Sequence, residues 1–116
     1  MTDDCLFCRI VAGEIPATVV HETDDTLAFR DIGPKAPVHV LVIPKAHHTD
    51  VAALAAADPA LAGKLLAACG AVAGQEGLTG DGYRVIFNTG RFGGQEVFHV
   101  HGHVVGGRPL GPMLSI

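Results

Sequence analysis

The sequence predicts an α+β fold: a five-stranded antiparallel sheet with one long helix and one or two short ones. Three observations predict it. Two short runs of β-branched and apolar residues face each other across a polar turn, which makes a hairpin. Only the segment beginning at Asp58-Pro59 keeps an apolar face at helical spacing over several turns. Strand-like segments that neighbour one another as hairpins imply an antiparallel sheet with helices packed on one side.

The elements follow in order. Residues 1–4 are expected to fray. Cys5 to Val11 reads as a short turn or helix, stopped by Gly13. Thr18 to Glu22 is a strand of β-branched residues, and Thr26 to Arg30 is its returning partner. Between them Thr23-Asp-Asp25 forms the turn, with the aspartate side chains expected to bond local backbone. Gly33-Pro34 and Ala36-Pro37 break the chain into a loop. Val38 to Ile43 is almost continuously apolar and reads as a central buried strand, closed by Pro44.

Val51 to Ala57 is a short alanine-rich helix. The long helix starts with Asp58 as N-cap and Pro59 in its first turn. Leu61, Leu65, Cys69 and Val72 mark its buried face, and Cys69 reads there as a small core residue. Gly77 is the expected C-terminal cap. Asp81-Gly82 turns the chain into a strand from Tyr83 that delivers Asn88 at its end. Gly90, Gly93 and Gly94 then form a loop leading to the last strand.

At 116 residues the chain is a single domain, 1–116, and 48% hydrophobic residues are ample for a core. A net charge of −4 without any Lys/Arg run argues against a nucleic-acid or membrane-surface binder. The longest apolar run, Val40 to Ile43, is too short to span a bilayer. The acidic N-terminus reads as neither signal peptide nor anchor. Three cysteines are an odd count, which suits a reducing, cytoplasmic setting better than a disulfide framework.

The chemistry concentrates in Phe98-His-Val-His-Gly-His-Val-Val-Gly-Gly107. His99, His101 and His103 recur with period two, so a β-strand places all three imidazoles on one face. Phe98, Val100, Gly102 and Val104 then face the core. A His-x-His pair on a strand can chelate one ion. At ~3.3 Å per residue, however, His99 and His103 stand roughly 13 Å apart, so the three rings have at least two jobs. A neutral imidazole is a good nucleophile near pH 7, and attack on phosphorus splits one hard displacement into two. Glycine-rich turns such as Gly93-Gly94 expose N–H groups that cradle anions. Cys5-x-x-Cys8 is half of a zinc site.

The run His-Val-His-Gly-His-Val-Val resembles the histidine triad motif that names the HIT superfamily of nucleotide hydrolases and transferases. Gly102 departs from its usual apolar residue. Ala28 to Ile32, Ala36 to Lys45, Gly93 to Phe98 and the ending Gly106 to Leu114 are similar to the Hint branch, in its bacterial form. Recognisable blocks run from about Cys5 to Leu114. The resemblance implies the HIT fold and a two-fold homodimer formed through the long helix and a sheet strand. That pairing would bring the tail from Arg108 to Ile116 near the partner's site.

By the same resemblance, His101 aligns with the nucleophile and His103 with the phosphate-contacting third histidine. Asn88, Gly94, Gln95 and Glu96 should line the phosphate site. Many animal relatives carry a hydroxyl residue where Glu96 stands; here its backbone N–H is expected to serve, and its carboxylate to favour an amine leaving group. Asp31 matches the ribose-binding acid, and Phe29 and Ile32 would wall a purine base. His39 is placed behind the triad as its orienting partner. Zinc-bearing relatives place ligands at positions matching Cys5, Cys8, His47 and His99. Four protein ligands make a closed structural zinc site, with no cofactor required for catalysis.

The leading reading is a purine nucleoside phosphoramidase. It would cleave adenosine 5′-phosphoramidates to AMP and an amine through a nucleotidyl-histidine. The alternatives are a dinucleoside polyphosphate hydrolase or another nucleotidyl transferase, and a purine-nucleotide-binding partner protein. A metal-dependent oxidase of the double-barrel type fails to explain the glycine loop.

Overall fold

The computed structural model describes residues 4–114; the expected fray at residues 1–3 lies outside that range. The order of elements is α1 (Leu6–Val11), β1 (Val19–Glu22), β2 (Thr26–Arg30), β3 (Val38–Pro44), α2 (Val51–Ala57), α3 (Pro59–Gln75), β4 (Tyr83–Phe87) and β5 (Gly102–Gly106). One antiparallel sheet runs in the order β1-β2-β3-β5-β4, so the most apolar strand is also its centre. The predicted architecture holds, with two short helices beside the long one.

The β1–β2 turn differs from expectation in its chemistry. Thr23 closes it: its Oγ1 accepts from the N–H groups of Asp25 and Thr26 at 3.3 and 3.0 Å. The aspartates stay outside, and Asp25 pairs with Lys64 at 2.9 Å. A hydroxyl one residue earlier reaches both donors, which leaves the carboxylates to solvent.

Helix α3 begins and ends as its sequence dictates. Asp58 Oδ1 accepts from Leu61 N–H at 3.0 Å. At the other end the N–H groups of Gly77 and Leu78 bond back to Gly74 and Ala73 at 3.1 and 2.9 Å. Gly77 has φ +74°, the left-handed conformation this termination requires, and Glu76 is the cap residue itself.

The two faces of the sheet bury different sets. Leu61, Leu65, Cys69 and Val72 of α3 pack with Ala28, Val40, Val42 and Val104. The opposite face holds Leu27, Phe29, Leu41 and Ile43 under Phe7 of α1. It is on this second face, alongside α1, that polar side chains collect.

The last strand begins later than its sequence suggests. Regular pairing starts at Gly102, opposite Val42 and Phe87. Phe98 to His101 precede the ladder, and Val100 N–H donates instead to His48 carbonyl at 2.8 Å. The cause is Pro44, which ends β3 with no N–H to offer, while its carbonyl accepts from the ring of His99. Phe98, expected in the core, is therefore 51% exposed. Alternation survives at Val100 and Val104, which are buried toward α3.

Candidate functional site

Register assembles the site. Leu41 lies beside His103 and His103 beside Ile86; one step along, His39, Val105 and Arg84 form a parallel row. Over these rows lies a cleft of about 420 Å³. Among the sequence-predicted residues it gathers Asp31, His39, Asn88, Gly94, Glu96, His101 and His103. The glycine loop is tight for a steric reason: a Cβ on Gly93 would collide with the Thr89 carbonyl.

Three other expected residues are placed differently. Phe29 is buried beneath the cleft, its ring 5.4 Å from that of Phe7. Ile32 is fully exposed on the β2–β3 loop. Gln95 turns inward, donating to Thr49 and Val97 carbonyls at 2.7 and 3.1 Å and accepting from Gly90 N–H at 2.9 Å. Its side chain thus ties the glycine loop to the body.

The hydrogen bonds fix which nitrogen of each imidazole carries a proton. His101 Nδ1 is 2.8 Å from His99 carbonyl, which can only accept, so Nδ1 holds the hydrogen and Nε2 the lone pair. For His39 the logic runs the other way. Its Nδ1 accepts from Lys35 N–H at 3.1 Å, so its Nε2–H donates to His103 Nδ1, 2.9 Å away. His103 is left with its proton on Nε2. Asp31 Oδ2 stands 3.5 Å from the same His39 nitrogen, and Oδ1 accepts from Gly33 N–H at 2.7 Å.

Burial lowers the pKa of His103 to about 4, assisted by His101 and His39; burial also lowers that of His39. Both are neutral at pH 7. The arrangement therefore offers a nucleophilic nitrogen beside a neutral N–H donor, with a glycine loop along the same cleft; there Gly94 and Gln95 N–H bond back to the carbonyls of Arg91 and Gly90 at 3.1 and 3.0 Å.

A second cluster lies behind the first. Cys5, Cys8, His47 and His99 bring one donor atom each to within 4.8 Å of one another. His99 Nδ1 is 3.3 Å from Cys5 Sγ, 3.4 Å from Cys8 Sγ and 3.3 Å from His47 Nδ1; Cys8 Sγ is 3.4 Å from His47 Nδ1. A tetrahedral zinc with Zn–N ~2.0 Å and Zn–S ~2.3 Å sets such edges at roughly 3.3–3.8 Å. His99 Nε2–H donates to Pro44 carbonyl at 2.8 Å, which leaves Nδ1 as a lone pair facing the cluster. Burial lowers the pKa of His99 to about 4, the neutral form a ligand needs. Burial and the adjacent Cys5 push the Cys8 thiol up to about 11, so only a cation would make it a thiolate. The donor set fits zinc.

Several lining residues escape a reading of the sequence. Phe7, Lys35, Arg84, Val97, Arg108 and Leu110 all reach the cleft. Arg84 donates to the carbonyls of Gly111 and Pro112, and Arg108 to that of Lys35 at 3.2 Å. The tail is thereby laid along its own chain's cleft. Phe7 had a signal, its position between two candidate ligands; the arginines had none, since only folding brings β4 and the tail together.

The HIT domain model matches residues 12–110. The purine nucleoside phosphoramidase of Escherichia coli K12 is 45% identical over 115 residues, covering 99% of this chain and 97% of that protein. A HIT family hydrolase from Legionella pneumophila is 48% identical with a TM-score of 0.89, covering 93% of this chain and 96% of the other. One from Clostridium thermocellum is 38% identical with a TM-score of 0.93, covering 99% and 100%.

Proposed function

The chain belongs to the HIT-domain family, and on that footing we infer that it is a purine nucleoside phosphoramidase. It hydrolyses the P–N bond of adenosine 5′-phosphoramidates. The observation that carries this reading is the state of His101. With Nδ1–H held by His99 carbonyl, its free Nε2 belongs to a ring lining the cleft beside His103. Attack on the α-phosphorus forms a nucleotidyl-histidine and breaks the P–N bond. His103 donates its Nε2–H and passes the proton that the departing nitrogen takes up. Water then attacks the intermediate, releases AMP and returns a proton to the site. Asp31 serves the ribose hydroxyls, Asn88 and the Glu96 backbone N–H the phosphate, and the exposed Glu96 carboxylate an amine leaving group.

Zinc at Cys5, Cys8, His47 and His99 is part of the proposal, supported by the distances above. With four protein ligands its role is structural, and no step of hydrolysis passes through it. A homodimer is supported by an unpartnered face of α3, where Gly63, Gly70 and Gly74 have open space around them and Leu66 is 57% exposed. Edge strand β4 adds the half-exposed Tyr83 and Val85. Among the described residues no helix is long and apolar enough to cross a membrane. Cys5, Cys8 and Cys69 form no disulfide, which suits a reducing environment, and we place the protein in the cytoplasm.

Comparing turnover of an adenosine phosphoramidate with that of a diadenosine polyphosphate tests the reading. Faster cleavage of the phosphoramidate supports it. Preference for the polyphosphate would move the protein to the other hydrolytic class, and tight AMP binding without turnover of either would make it a binding protein.

A further inference from the structure

We infer that the Cys5/Cys8/His47/His99 cluster governs nucleotide binding through Phe7, which is a positioning residue for His101. Phe7 lies between the two thiols on α1 and is only 4% exposed. Its ring meets that of His101 edge-on, with centroids 5.1 Å apart and planes at 86°. It meets His99 at 6.0 Å and lines the cleft itself. The same aromatic surface therefore touches the metal cluster, the nucleophile and the nucleotide site.

Helix α1 has little to hold it otherwise. It is six residues long, too short to persist alone in water. The side-chain acceptor at its N-terminus is Cys5 Sγ, 3.2 Å from Cys8 N–H. Its ion pair, Arg9 with Glu14 at 3.5 Å, is local and exposed. Apart from the packing of Phe7, Ile10 and Val11, the thiols facing His47 and His99 are what tie it to the body. Zinc joining these four residues would clasp α1 to the β3–α2 loop and to the segment before β5. A second arm runs from the same cluster: His99 carbonyl holds the Nδ1–H of His101. Loosening the clasp releases Phe7 from one side of the imidazole and disturbs its hydrogen bond on the other.

It follows that zinc and AMP bind cooperatively, each tightening the other by one common factor. This rests on reading the cleft as an AMP site and the cluster as a zinc site. The test uses the zinc-loaded 116-residue protein and follows zinc release to a chromogenic chelator. With release read at equilibrium, saturating AMP should raise the chelator concentration needed to remove half the zinc about tenfold, within the usual range of such couplings. Calorimetry should find AMP bound about tenfold more weakly after zinc is stripped. Phe7→Leu keeps an apolar residue in place, so it should still load zinc but lose the coupling. Val72→Ala, a core change under α3, should leave the coupling intact, which separates positioning from general stability. Release unaffected by AMP, with AMP bound, would overturn the inference and leave the cleft reading standing. So would coupling that survives in Phe7→Leu. Failure of AMP to bind at all would overturn the inference and the cleft reading together, whereas failure of zinc to bind would overturn the inference and the zinc reading.

Discussion

The ring of His101 donates from Nδ1 to the main-chain carbonyl of His99 at 2.8 Å. One residue of the triad thus fixes the tautomer of the next, and only Nε2 of His101 remains to attack phosphorus. His101→Ala should lower turnover of an adenosine phosphoramidate by roughly four orders of magnitude or more, as removing a covalent nucleophile does. AMP should still bind, as calorimetry will read, because Asp31, Asn88 and the glycine loop remain.

His39 relays a backbone constraint to His103. Lys35 N–H sets its tautomer, and its Nε2–H sets that of His103. His39→Leu should therefore lower kcat, by part of the ~10²–10⁴-fold that proton management contributes, with a smaller change in KM. His39→Gln, whose amide N–H can still donate, should recover some of the loss.

Acid should destabilise the protein through His103. Its folded pKa is depressed to about 4 by burial, below the ordinary value of 6.5. Between these values the unfolded chain binds more protons than the folded one, so stability rises with pH across the window. It is fully present above about pH 6.5 and lost as pH falls toward 4. Thermal melts of His103→Asn over that range should be flatter than those of the wild type. Parallel curves would remove His103 from the account.

The departure from the triad pattern at Gly102 has a packing cause. A Cβ there would lie 2.9 Å from Phe87 Cζ and 3.1 Å from Cys69 Sγ. Gly102→Ala should cost about 1–3 kcal/mol in denaturant unfolding, the usual cost of overfilling a core. Because Gly102 separates His101 from His103, activity should fall as well.

Cys8→Ser should reduce zinc from about one per chain, lower the melting temperature and weaken AMP binding about tenfold, as stripping zinc does, while the folded fraction still turns over saturating substrate. A protein purified without chelator that holds no metal, with both thiols freely titratable, would contradict the zinc assignment.

Much of this molecule is legible in its sequence where the signal is local. Asp58-Pro59 and Gly77 bound α3 because caps act within one turn. Alternation at His99, His101 and His103 separates side chains by face even where regular pairing stops. The run from Val38 to Ile43 reads as central because, His39 apart, it is continuously apolar. What the sequence leaves unread depends on distant parts of the chain. Pro44 shortens the last ladder from across the sheet and turns Phe98 outward. Thr23 displaces the aspartates at the hairpin because its hydroxyl reaches both amides first. Arg84 and Arg108 reach the cleft only because β4 and the tail fold beside it. Phe7 gains its place by a helix that closes over the second face.

The most direct test of the central claim is to quench the reaction within its first turnover, using substrate labelled in the adenylate moiety. Digestion and mass spectrometry should find the label on His101, acid-labile as a phosphoramidate is, and His101→Ala should trap none. Label on another residue, or near-normal turnover by His101→Ala, would contradict the mechanism.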